Sequence, residues 1–250
     1  MNLGAILLLI LSGLTLIALH ILPRKKGLRP RIRPLSAFKD LKAEAGYAAE
    51  SGGAIHIALG NGGLNGEDAV QSLAGLQVVK ALADTAISYG APPIISVGDP
   101  TLLILAQDIL RRAYERAGAA ESYDPSLVRF VAPSPTAYAA GVAYAVASEN
   151  VTASMMAGAF GAEVSLITDA GARRDLPQLA APADPRAVGA LYPATDRLAM
   201  GEELYAAGAQ MTGDRRYLIG LMAQDILRVI LVLAILVAAG LAFLSSGRGG

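Results

Sequence analysis

A chain of 250 residues has room for one medium domain plus extra segments, and 21 basic residues balance 21 acidic ones, so no global field favours nucleic acid. The absence of cysteine excludes disulfides, thiolate catalysis and cysteine-based zinc or iron–sulfur sites, and two histidines, His20 and His56, are too few for a multi-histidine metal centre. The hydrophobic fraction, 54%, and the mean hydropathy, +0.46, are high for a soluble globule, and the excess sits at the two ends.

Residues 1–23 read as a transmembrane helix. The run 3–22 is almost unbroken apolar sequence, and about twenty residues at 1.5 Å rise cross roughly 30 Å of hydrocarbon. A cleaved signal peptide would instead carry a positive leading region, a shorter apolar core and a small-residue cleavage site. None of these is visible, so an uncleaved anchor is expected. Residues 24–53 read as a basic linker and juxtamembrane segment: Pro23-Arg24-Lys25-Lys26 is followed by Arg29, Arg31 and Arg33. The proline and glycine spacing over 27–34 is incompatible with a regular helix. Contact with anionic headgroups is one reading of that charge, and a stop-transfer linker is the simpler one.

From 54 to 212 short β-like runs alternate with longer helical ones. The spacing predicts strands at 54–59, 94–97, 128–132, 153–158, 178–181 and 197–200. The predicted helices cover 66–89, 101–118, 135–148, 162–173, 185–191 and 202–211. Asp99-Pro100, Ser134-Pro135 and Asp184-Pro185 each place a capping side chain before a proline, a favoured helix start. Alternation at this spacing implies βαβ crossovers and a mostly parallel sheet covered on both faces, an α/β, Rossmann-like domain. The strands are continuous apolar runs, as doubly covered strands should be. Tyr138-Ala139-Ala140-Gly141-Val142-Ala143-Tyr144 belongs to a helix whose small residues suit close packing, on the sheet or between protomers.

Residues 213–250 read as an amphipathic lead-in and a second transmembrane helix with a short tail. Asp214, Arg215 and Arg216 precede it, and 226–244 holds nineteen residues of which only Arg228, near the start, is charged. A buried core helix is the competing reading, disfavoured by that length. Both basic clusters lie on the inner side of their helices, which places the α/β domain on the cytoplasmic face of the cell membrane. The repeat of Leu105–Arg111 in Met222–Arg228 has no longer period behind it and reads as coincidence.

In an open parallel sheet, ligands lie beyond the carboxyl ends of the strands. The candidate site there is Gly60, Asn61, Gly62 and Gly63, with Asp99 and Ser134, where backbone amides have the freedom to cradle a phosphate. The spacing departs from G-x-G-x-x-G, no P-loop lysine follows, and Glu67 and Asp68 would repel a phosphate. No catalytic constellation or metal cluster assembles: His56 lies within a strand, and Asp99, Asp184, Ser134 and Glu163 have sufficient roles at helix starts. No particular cofactor is implied.

Gly60-Asn61-Gly62-Gly63-Leu64-Asn65-Gly66-Glu67-Asp68, Gly161-Ala162-Glu163 and Gly201-Glu202-Glu203-Leu204-Tyr205 before a terminal hydrophobic helix carry a resemblance. The chain resembles an uncharacterised prokaryotic membrane family classed as a domain of unknown function. That resemblance implies the layout of helix, α/β domain and helix, and brings no activity with it.

Three functional expectations follow. The first is a non-enzymatic membrane-anchored module that binds a partner membrane protein or assembles with its own copies, with the lipid bilayer as constant partner and no nucleic acid. The second is a membrane-bound enzyme or sensor for a nucleotide or sugar phosphate at the glycine turn. The third, an accessory subunit of a transporter, has no internal repeat to support it.

Overall fold

The computed structural model describes residues 11–14, 17, 35–212 and 225–236. Residues 35–212 belong to one compact unit, the α/β body. Its elements in chain order are α1 (Leu41–Ser51), β1 (Ala54–Gly60), α2 (Ala69–Ser88), β2 (Ile94–Val97), α3 (Pro100–Arg116), β3 (Val128–Phe130), α4 (Pro135–Ser148), β4 (Val151–Ala159), α5 (Ser165–Ala172), β5 (Gln178–Pro182), α6 (Pro185–Leu191), β6 (Arg197–Leu198) and α7 (Glu202–Thr212).

The six strands form one sheet in the order β3-β2-β1-β4-β5-β6, and every neighbouring pair is parallel. This is the order of a doubly wound sheet, in which the chain winds outward from β1 one way and from β4 the other. Strand alternation divides the core in two. Ile55, Ile57 and Leu59 of β1 pack with Met155 and Leu179 under α2 and α3, while Ala58, Met156 and Ala180 face α4 and α5.

The helix starts follow from local chemistry. Asp99 and Asp184 each accept from the amide two residues on, at 2.8 and 2.7 Å, just ahead of a proline that has no amide to satisfy. Ser134 holds the same position before α4, but its hydroxyl makes no capping bond, which corrects the role expected of it. The first crossover helix starts at Ala69 rather than 66, so Glu67 and Asp68 precede its first turn instead of lying within it.

One element does not announce itself in the strand–helix alternation. α1, within the segment read as linker, buries Leu41, Ala45 and Ala48 and ends on Gly52 in the left-handed conformation. It belongs to the body, and Glu44 on it pairs with Arg197 of β6.

Of the two segments read as spanning helices, most of 3–22 lies outside the described residues, as does 237–244 of the second, 226–244. Residues 225–236 are helical, and every residue from Val229 to Leu236 is aliphatic. Among the described residues no helix is long and apolar enough to cross a membrane.

Candidate functional site

The winding reverses between β1 and β4, so the crevice at the sheet's carboxyl edge opens beside the turn after Gly60. Gly60 has φ +83°, and a Cβ there would fall 1.8 Å from the carbonyl oxygen of Ala159 at the end of β4. Only glycine satisfies both conditions. The amide of Gly98, after β2, donates to the Gly60 carbonyl at 3.0 Å. These contacts draw the ends of β1, β2 and β4 together.

The next glycines are surrounded by protein. A Cβ on Gly62 would meet the Cβ atoms of Ala159 and Asp68 at 2.5 and 2.8 Å, and one on Gly63 would meet Asp99 Oδ2 at 2.6 Å. The turn is therefore folded tightly against its neighbours, and its glycines are accounted for by packing. Asp99 turns its carboxylate to its own helix, where Oδ1 takes the Thr101 amide and hydroxyl.

Beneath the turn lies a residue that the sequence did not single out. Tyr138, buried within α4, accepts from the Gly60 amide at 3.1 Å and donates its hydroxyl proton to the Ser96 carbonyl at 2.9 Å. Burial pushes this phenol well above its ordinary pKa, so it stays protonated and able to donate. The sequence signal was one of two tyrosines in an alanine-rich run, which core packing explains equally well. Ser134 lies one helical turn earlier and is exposed; the hydrogen bonds that link α4 to the turn run through Tyr138. Of the six candidate residues, the structure brings Gly60, Asn61, Gly62, Gly63 and Asp99 together.

His56 is fully buried on β1 with Nε2 2.9 Å from Ser96 Oγ. Burial, with help from the nearby Arg129 charge, lowers its pKa to about 4, so it is neutral at pH 7. Its Nδ1 has no hydrogen-bond partner. It lies inside the strand, away from the crevice, and is not poised as a base.

The rim of the crevice is acidic. Glu163 folds back so that Oε1 accepts the Gly161 amide at 2.7 Å, and Glu203 accepts the Met200 amide at 3.2 Å. Arg186 is held by Asp184 and also senses Glu163 and Asp68. Asp184 thus offsets the charge of this exposed guanidinium. Among the described residues, no three His, Asp or Glu side chains are arranged to hold a metal ion.

The family described as a domain of unknown function, DUF6754, matches residues 1–248. The chain belongs to that family. DUF6754 therefore covers the body and both terminal segments as one unit, and it assigns no chemistry to the glycine turn. The resemblance read from the sequence holds at the level of a domain of unknown function; the match carries no statement about membrane or source. No curated protein and no solved structure matches the chain.

Proposed function

We propose that this DUF6754 chain is an integral membrane protein whose α/β body, on the cytoplasmic side, is a non-enzymatic module that assembles with its own copies or with another membrane protein. The observation that carries the reading is the packing of the glycine turn. At the switch point, where a doubly wound sheet would hold a ligand, Gly60, Gly62 and Gly63 are packed against Ala159, Asp68 and Asp99. The acidic rim adds a charge that opposes phosphate.

The helix at 225–236 supports the membrane part. Ile226, Val229, Leu231, Val232, Leu233, Ile235 and Leu236 are exposed, and a stretch apolar on all sides, as 229–236 is, requires lipid or a protein partner around it. The sequence stays apolar to 244, and 3–22 at the other end has the same character. Alkaline carbonate extraction of membranes tests this directly: the intact chain stays with the lipid. Release into the wash overturns the anchor. Protease added outside sealed cells leaves the body intact if it faces the cytoplasm.

A second reading has one observation in its favour, the position of Gly60–Gly63 and Asp99 at the reversal of a β3-β2-β1-β4-β5-β6 sheet. A nucleotide or sugar phosphate bound there would raise the melting temperature in a thermal-shift panel. The packed turn predicts no shift. A reproducible rise that disappears in Gly62→Ala would replace the first reading with this one.

A further inference from the structure

The strands are parallel, so their first residues share one edge of the sheet, the amino edge, and the glycine turn lies at the other. α1 spans the amino edge. Near its start Asp40, at 3.9 Å, and Glu44 both reach Arg197, the first residue of β6. Its end passes through Gly52 and Gly53 into Ala54, the first residue of β1. α7 heads for the same edge. Like α2 it begins beyond the carboxyl end of a strand, and a Cβ on Gly208 would meet that of Gln77 at 2.5 Å, so the two helices descend side by side. The body is therefore entered just ahead of α1 and left by a helix that runs toward α1.

The side chains of this edge have a character of their own. Tyr47 on α1 is 62% exposed, and the exposed Tyr89, which follows α2, has its ring 3.8 Å from the Cβ position of Gly46. Two aromatic rings thus stand at neighbouring places. Beside them Ala48, Gly52, Gly90, Leu127 and Asn150 line a recess of about 340 Å³. Lys39 and Lys42 are exposed at the start of α1. The arginines of the body bond to carboxylates or carbonyls. Among the described residues neither lysine has a carboxylate partner, because the nearest acids, Asp40 and Glu44, direct their charge at Arg197.

We propose that the amino edge is the face the body lays on the bilayer, with Lys39 and Lys42 on anionic headgroup phosphates, Tyr47 and Tyr89 at the level below them, and the glycine turn pointing away. The proposal rests on the membrane-anchored reading above and adds which side of the body meets lipid. The chain itself selects the occupant. The basic run from Arg24 to Arg33 ends two residues before Leu35, at most about 7 Å of extended chain. Arg215 and Arg216 follow Thr212 by three and four residues, at most about 14 Å. Basic segments beside apolar stretches lie in the headgroup layer of an anionic leaflet, so both ends of the body are held within reach of it. A tyrosine ring, apolar in its body and polar at its tip, suits that level.

Because the chain has no cysteine, single spin labels can be placed on the full chain reconstituted into vesicles. Tyr47→Cys reports on the proposed face. Val70→Cys is the control, since Val70 is also 62% exposed but lies in the first turn of α2, roughly 28 Å along that helix from Tyr89. The vesicles contain phosphatidylcholine and phosphatidylserine, with a trace of lipid that carries chelated nickel at its headgroup. The proposal expects strong paramagnetic relaxation of the label at position 47 and little at position 70. Lys39→Gln with Lys42→Gln weakens the docked state by roughly thirtyfold, read as loss of relaxation at position 47 while the melting temperature stays at its wild-type value. Phosphatidylcholine alone gives the natural chain the same loss.

A chain that does not float with the vesicles overturns the anchors and this face together. A chain that floats but shows equal relaxation at the two labels, or more at position 70, keeps the anchors and overturns the face. Relaxation at position 47 that the lysine substitutions leave unchanged also overturns the proposal, since the edge is then near lipid through its tethers alone.

Discussion

Two glycines in one turn separate steric from conformational demand. Gly60 and Gly66 both have positive φ, +83° and +93°, but Gly60 is pressed against Ala159 while a Cβ on Gly66 meets nothing within 4 Å. Gly66→Ala should therefore cost only the left-handed backbone, about 1–2 kcal/mol. Gly60→Ala must also displace β4, and a loss of about 3 kcal/mol or more is expected. Denaturant titration of both variants measures the difference, and equal losses would show that the turn is not held by β4. His56 gives the second prediction at this scale. Above its ordinary pKa of 6.5 the imidazole is neutral whether the chain is folded or not, so it has no pH effect there. As pH falls below 6.5 the unfolded chain takes up a proton that the folded one refuses until about 4. Stability is therefore lost across that window, by about 3 kcal/mol in total, and levels off below it. The loss between pH 7 and 4 should be smaller by that amount in His56→Gln than in the natural chain.

Elements built from strong local signals were legible. The aspartate–proline pairs fix the starts of α3 and α6, and apolar runs place β1, β2 and β5 within a residue or so. α1 was harder, because its buried side chains are one leucine and two alanines, and a basic, proline-rich stretch precedes it. Its glycine cap, Gly52-Gly53, was the available signal. What holds it was invisible in the sequence, since Glu44 and Arg197 are 153 positions apart and meet only when the sheet has formed. Both side chains of this pair are largely buried, 13% and 17% exposed. Burial raises the Glu44 carboxyl above its usual range, and the Arg197 guanidinium offsets that only in part. Arg197→Met leaves an uncompensated buried carboxylate and should cost about 3–5 kcal/mol at neutral pH. Lowering the pH protonates Glu44 and relieves part of that cost. The double variant with Glu44→Leu should recover most of the stability at pH 7, because a matched apolar pair carries no desolvation cost. If the double variant melts no higher than the single one, the pair is not what binds α1 to β6.

At the scale of the whole molecule, the sequence revealed the position of the candidate site but not its state. The glycine turn was legible as a turn; its packing depends on Asp68 at its own far end and on Ala159 and Asp99, which reach it from β4 and the start of α3. The body has its own core on both sheet faces, and residues 34–212 form a separate compact unit. The segment 34–212 produced alone should therefore fold without detergent and unfold cooperatively, with an α/β circular dichroism spectrum. Its association should differ from that of the full chain. Anchors confine copies to a thin layer and one orientation, so a contact of modest intrinsic strength is populated at a high effective concentration. Freed from them, the segment should be monomeric at micromolar concentration and associate only when concentrated, while the full chain associates in membranes. Sedimentation of the segment over a wide concentration range measures this. A segment that aggregates or stays unfolded would mean that the terminal segments complete the core, contrary to the separate unit described. A tight dimer at nanomolar concentration would instead show that the body needs no membrane to bring copies together.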